Sequence, residues 1–210
     1  MDSEDNILVI DCDNHRVQKF SSNGQFITAV GKRGDKHLEF NDPVGIGIHP
    51  HNKVYVADTC TFNHRIQILN PDLTFSSSFG SVGRGNGQFM FPWDVAFEST
   101  GNVYVVELRN HCIQVFTAAG QFMRMFGSQG IGREKLNYPM GISIDSDNVV
   151  YVTEDGNNRV SVFTCEGKFL SSFGSKGNGP GQFNQPRGIT VDKSGMIIVS
   201  DQENHRLQFF

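Results

Sequence analysis

An Asn-His dipeptide recurs four times along this chain, as Asn14-His15, Asn63-His64, Asn110-His111 and Asn204-His205, with Asn157-Asn158 in the remaining slot. The intervals are 49, 47, 47 and 47 residues, and Pro43, Pro92, Pro139 and Pro186 keep the same beat at 49, 47 and 47. The period therefore belongs to a whole unit. A repeat of this length specifies a tandem array, in which each unit is one supersecondary element that cannot bury its own faces and must stack on its neighbours.

One unit shows what is stacked. After Pro92 come Val95 and Phe97, a turn at Thr100-Gly101-Asn102, a run from Val103 to Glu107, and Asn110-His111. A third run spans Cys112 to Phe116, a turn follows at Ala119-Gly120, and a fourth run spans Phe122 to Phe126. Short runs rich in Val, Ile, Phe and Tyr, punctuated by Gly and Asn, are strands joined by hairpins. No segment carries a helical period long enough to compete. Four short antiparallel strands per unit make the blade of a β-propeller, so the chain is expected to be all-β. In this reading the strands run A to D from the central channel outward, the proline opens strand A, and Asn-His lies in the B to C turn. The segment Gly80 to Phe89 carries the chain to the next blade, with Phe89, like Phe183, tucked between blades. Its glycines do not form a phosphate loop, because the Lys-Ser/Thr ending and following helix are missing.

The repeat resembles the NHL repeat, whose Asn-His-Leu reads Asn-His-Arg in three units here, over nearly all of residues 6–210. The unit length, the Gly-Gln-Phe link and Pro92-Trp93-Asp94 look most like the propeller that ends tripartite-motif ubiquitin ligases. That resemblance implies a non-catalytic target-binding arm, in a parent protein with a zinc-binding RING, B-box and coiled coil upstream, acting in polyubiquitination and proteasomal degradation in the cytoplasm.

The whole of 1–210 reads as one propeller domain of about four and a half repeats: 6–40 (partial), 41–89, 90–136, 137–183 and 184–210 (partial). The array begins at strand B of one blade and ends at strand C of another, giving 18 blade strands where a closed six-bladed ring needs 24. The expectation is a piece of a longer protein whose ring is closed by a further blade or by self-association. No apolar run of 18 residues is present, so no membrane span is expected. Cys12, Cys60, Cys112 and Cys165 are scattered and form no CxxC pair, which argues against a disulfide framework or structural zinc.

An acid ends each strand B: Asp11, Asp58, Glu107, Glu154 and Asp201. Arginine follows the dipeptide at Arg16, Arg65, Arg159 and Arg206. Repetition in every blade points to a structural corner, made by each acid with Asn14 and His15, Asn63 and His64, Asn110 and His111, Asn157, and Asn204 and His205. The histidines belong to different blades and should not converge on a metal. No catalytic residue, metal or cofactor is expected.

Function should instead sit at positions that differ between units. The residues after the prolines, at the channel mouth, are Val44, Trp93, Met140 and Arg187. A propeller hydrolase or lyase would need hard-metal ligands there, which Val, Trp and Met do not supply. The crossing segments carry Lys32, Arg33, Lys36, Arg84, Arg133, Lys135 and Lys176 against Asp35, Glu39, Asp42 and Glu134, a mildly basic face on a chain of net charge −4. The opposite face is acidic. Trp93 and Tyr138 beside Arg133, Lys135 and Arg187, with Arg109 in a B to C turn, suit a protein hot spot or the stacking and phosphate contacts of an RNA reader, while Trp93 equally suits plain inter-blade core. A protein target is the first expectation, RNA the alternative, and an enzyme the remote one.

Overall fold

The computed structural model describes residues 1–60 and 62–210. Five antiparallel sheets follow one another along the chain. The first holds β1 (Ile7–Asp11), β2 (Arg16–Phe20) and β3 (Phe26–Val30). The second holds β4 (Pro43–Ile48), β5 (Val54–Asp58), β6 (Arg65–Leu69) and β7 (Phe75–Phe79). Next comes a two-stranded parallel pair, β8 (Ser81–Val82) with β9 (Gln88–Phe89). The third sheet holds β10 (Pro92–Phe97), β11 (Val103–Glu107), β12 (Cys112–Phe116) and β13 (Phe122–Phe126). The fourth holds β14 (Pro139–Ile144), β15 (Val150–Glu154), β16 (Arg159–Phe163) and β17 (Phe169–Phe173), and the fifth β18 (Pro186–Val191), β19 (Ile197–Asp201) and β20 (Arg206–Phe209). Within each sheet the spatial order is the sequence order. This is the up-and-down blade of a β-propeller, and the inner strands β4, β10, β14 and β18 lie side by side.

Burial explains the pattern of each strand. The B and C strands lie between neighbouring blades, so β5, β11 and β12 are buried at every residue and read as continuous apolar runs. Outer strands face water on one side, and β7 accordingly carries Ser76-Ser77-Ser78 between its terminal phenylalanines. Two differences from the sequence reading lie in the connections. The crossing segments are not plain loops, since β8 pairs with β9 and the equivalent bridges Arg33 to Phe40, Gln129 to Leu136 and Lys176 to Phe183 recur elsewhere. The last B to C corner closes with a single 3-10 turn, Gln202–Asn204.

Each crossing ends in an apolar plug. Phe40, Phe89, Leu136 and Phe183 are all fully buried. Phe89 packs among Tyr55, Ile66 and Ile68 of its own blade and Val95, Val105 and Phe116 of the next. Burying such a side chain contributes roughly 1.5 to 3 kcal/mol. The backbone gives way to it: Gly80 has φ +99°, and a Cβ there would lie 2.3 Å from the Phe89 ring.

Candidate functional site

Every strand A begins with a bulge. Register slips between Pro43 and Ile46, Pro92 and Val95, Pro139 and Ile142, and Pro186 and Ile189. A bulge re-aims the residues it contains, and the re-aimed pairs are Val44-Gly45, Trp93-Asp94, Met140-Gly141 and Arg187-Gly188. They line a shared cavity of about 370 Å³ at the channel mouth. Glycine is needed there because adjacent inner strands nearly touch: a Cβ on Gly141 would sit 2.4 Å from the Arg187 carbonyl oxygen. Asp94 is the exception. Its Oδ1 accepts from the Val95 N–H at 2.9 Å and its Oδ2 from the Ile142 N–H at 3.1 Å, so it ties blade 3 to blade 4. Burial pushes the Asp94 carboxyl up to about 7 against the pull of these two donors. Trp93 is half-buried against the core between the same blades, and Met140 is buried within the channel.

The repeated acids form a second, different structure. Glu154 is fully buried and shows its logic. Its Oε2 accepts from the Asn137 N–H at 2.9 Å and from Asn157, while its Oε1 accepts from Arg159 Nε at 2.6 Å and from Ser161. The rest of the Arg159 guanidinium donates to the Ile131, Gly132 and Lys135 carbonyls of the incoming crossing. Arg65 on Asp58 and Arg206 on Asp201 repeat this, and Arg16 pairs with the more exposed Asp11. The asparagines add a bond to the same crossing, as from Asn63 to the Gly34 carbonyl at 2.9 Å and from Asn204 to that of Gly177 at 2.9 Å. The next residue reaches forward. Nδ1 of His15, His64 and His111 accepts from the N–H of Asp42, Phe91 and Tyr138, and Asn158 Oδ1 from that of Gln185, all just before the next proline. Both ends of each bond have left-handed backbone, φ +37° at His64 and +62° at Phe91. Such strain in bulky residues persists only where the surroundings hold it. The corner thus clamps the crossing that enters its own blade and the strand that opens the next, a longer reach than a local turn.

Blade 3 departs from the rule. Cys112 stands where the other blades have arginine. Glu107 Oε2 keeps its bonds to the Met90 N–H at 2.8 Å and Asn110 at 2.9 Å, but among the described residues its fully buried Oε1 has no hydrogen-bond partner, and neither does Asn110 Oδ1. Burial pushes the Glu107 carboxyl up to about 8 and the Cys112 thiol up to about 12. A cavity of about 470 Å³ opens over this corner, lined by Arg84, Arg109, Asn110, His111, Cys112 and Tyr138 among others. Comparing the repeats position by position exposes Cys112 in the sequence; the orphaned oxygen needs coordinates.

The remaining candidates do not form one patch with Trp93. The structure brings Val44, Trp93, Met140 and Arg187 together and places Tyr138, Arg84 and Arg109 at the blade 3 cavity, where Arg109 lies 4.8 Å over the Phe91 ring and Tyr138 packs edge-on against His111 at 4.7 Å. Arg133 and Lys135 line a separate depression with Lys168 and Phe169, and Lys176 is exposed on its own crossing. The expected grouping of Tyr138, Arg133 and Lys135 beside Trp93 is not seen: Tyr138 is held on His111 at the blade 3 corner, and Arg133 and Lys135 lie on the crossing before it. The sequence reading also missed the bridging role of Asp94. Among the described residues, no helix is long and apolar enough to cross a membrane.

Residues 1–20, 40–69 and 89–116 match the NHL repeat family, and residues 145–209 match a family described as a 6-bladed beta-propeller. Protein brain tumor of Drosophila melanogaster is 35% identical over 78 residues, covering 37% of this chain and 7% of that protein. NHL repeat-containing protein 3 of Homo sapiens is 28% identical over 102 residues, covering 46% of this chain and 29% of that protein. The chain thus spans less than a third of the length of these curated relatives. Among solved structures, a streptogramin B lyase superposes with a TM-score of 0.72 at 17% identity, over 99% of this chain and 65% of that one. A virginiamycin B lyase from Staphylococcus aureus, with quinupristin, gives 0.70 at 15% over 100% and 67%. A gluconolactonase from Xanthomonas campestris gives 0.66 at 14% over 99% and 72%. At these identities the likeness is one of fold alone.

Proposed function

Because the chain is an NHL-repeat β-propeller, we propose that it is a non-catalytic recognition module that binds protein targets through the channel mouth on the crossing-loop face. The observation that carries this reading is the ring of bulges, which brings Val44, Trp93, Met140 and Arg187 around one cavity. Residues that differ between otherwise equivalent blades are free to serve a partner, and Trp and Arg are the side chains that most often anchor one. The chemistry of the mouth supports binding over hydrolysis or lysis. Its one carboxylate, Asp94, already uses both oxygens on backbone N–H groups of adjacent blades, so it does not offer the several oxygen ligands a hard cation takes.

On the resemblance to tripartite-motif ligases, the propeller is the cytoplasmic target-binding arm of a RING-type ubiquitin ligase, presenting captured proteins for polyubiquitination and proteasomal degradation. RNA capture for post-transcriptional repression is the second reading. Exposed Arg84, Arg133 and Lys176 on the crossings, without ion pairs among the described residues, favour it.

The test is recovery of binding partners by the wild-type chain and by Trp93→Ala and Arg187→Ala. Protein partners lost from both variants while circular dichroism spectra remain native support the reading. Nuclease-sensitive partners, with affinity falling at a log-log salt slope of roughly −0.7 per phosphate, would replace it with the RNA reading. Recovery unaffected by either substitution contradicts the proposed surface.

A further inference from the structure

The blade 3 corner alone lacks the arginine that its four sisters carry, and the difference has a defined shape. In blade 4, Arg159 Nε bonds Glu154 Oε1, and its terminal nitrogens bond the Ile131 and Gly132 carbonyls, which lie one and two residues after Gly130. In blade 5, Arg206 bonds Asp201 and the carbonyls of Asn178 and Gly179, one and two residues after Gly177. Asn110 of blade 3 bonds the Gly83 carbonyl in the same way that Asn157 bonds Gly130 and Asn204 bonds Gly177. The equivalent acceptors are therefore Glu107 Oε1 and the carbonyls of Arg84 and Gly85. Cys112 is too short to reach them. What remains is a cavity of about 470 Å³ lined by Arg84, Asn110 and Cys112 among others; Cys112 pairs across the strands with Glu107, whose Oε1, like Asn110 Oδ1, is buried and has no hydrogen-bond partner among the described residues. Guanidinium, with five donors and no acceptor, is the group that the equivalent acid and crossing carbonyls hold in the sister blades.

We propose that the blade 3 cavity is a docking slot for an arginine side chain of a protein partner, whose guanidinium takes the place filled in the other four blades by Arg16, Arg65, Arg159 and Arg206. This rests on the protein-recognition reading for the source of the arginine, and on the corner geometry alone for the chemistry of the slot. The rim narrows the partner further. Arg84 and Arg109 are exposed there and form no ion pair among the described residues, so the arriving arginine is one flanked by Asp or Glu. Of the titratable groups around the slot, the Cys112 thiol is pushed up by burial and by Glu107, and His111 is held below its usual range by burial and by Arg84, so both are neutral at pH 7. Burial holds the Glu107 proton up to about 8 in the empty corner, so Oε1 becomes an acceptor for guanidinium only as docking ionises the carboxyl and releases its proton.

The probe is an acetylated Asp-Arg-Asp amide, with Asp-citrulline-Asp as the uncharged isostere and inorganic phosphate as the anion control. The readouts are thermal denaturation of the 210-residue chain and proton release by calorimetry in buffers of different ionisation enthalpy. The arginine peptide is expected to raise the melting temperature by at least about 2 °C and to release protons. The citrulline peptide does neither, and Glu107→Gln abolishes both effects. Cys112→Arg supplies the guanidinium from within the chain, and is expected to melt above wild type and to ignore the peptide. Equal shifts from arginine and citrulline, no shift at all, or a Cys112→Arg chain that melts below wild type would overturn the slot. A shift from phosphate that survives Glu107→Gln would overturn it in favour of an anion site on Arg84 and Arg109. Loss of Trp93-dependent partners with the peptide response intact would remove the protein-recognition reading and leave the slot standing.

Discussion

Glu107→Gln should make the chain more stable in alkaline solution, although it alters one of the most buried polar side chains in the molecule. In the unfolded chain this carboxyl loses its proton near 4.5; in the fold, burial without a cation holds the proton until about 8. Between those limits the unfolded state binds fewer protons, so stability falls as pH rises, by up to about 1.4 kcal/mol per pH unit. From pH 5 to pH 8 the loss is at most about 3 kcal/mol. Glutamine cannot titrate. It retains an oxygen for the Met90 N–H and Asn110, and puts an amide donor where the unpartnered Oε1 stood. Urea denaturation of both proteins from pH 5 to pH 9 at fixed ionic strength should show the variant gaining steadily on wild type and overtaking it by pH 8. Asp94 contributes a similar slope to both proteins and cancels in the difference. Parallel profiles would mean that Glu107 is already paired or solvated, and the reasoning about blade 3 would fail.

Other substitutions test the rest of the framework. Arg159→Cys copies the blade 3 corner into blade 4, stranding the fully buried Glu154 and freeing three crossing carbonyls; it should cost about 3 to 5 kcal/mol at pH 7 by urea denaturation. Gly141→Ala drives a Cβ against the Arg187 carbonyl and should cost about 1 to 3 kcal/mol, with the loss showing as faster hydrogen exchange in β14 and β18. Phe89→Ala empties the plug between blades 2 and 3 and should cost about 3 to 5 kcal/mol in the same assay.

Much of this architecture was legible because periodicity is a property of the sequence. The spacing of the Asn-His and proline markers predicts 18 blade strands, and the described residues hold 18, with β11 ending at Glu107 and β12 beginning at Cys112 as the apolar runs require. The parallel pairing of β8 and β9 was not legible, since two-residue strands in a glycine-rich crossing carry no alternation. Nor was the bulge after each proline, which sends Trp93 to the channel and leaves Tyr138 at the rim of another cavity. The repeated acids could be read as structural because they recur, but their reach could not. His64 clamps a residue 27 positions away, through a contact that exists only once consecutive blades are stacked. The two sites that break the repeat, Asp94 and Cys112, are visible as odd letters in the array. Their consequences, a carboxyl bridging two blades and a buried oxygen without a donor, appear only in three dimensions.

The central claim is that the channel mouth on the crossing-loop face is where this propeller meets its protein target. A photo-crosslinking amino acid placed at Trp93, and in a second protein at Lys193 on the opposite face, tests it in cell extract. The account predicts discrete, nuclease-resistant protein adducts from position 93 that are absent from position 193 and are lost when Arg187→Ala is added. Adducts of equal yield from both positions, or adducts from position 93 that nuclease removes, would contradict it.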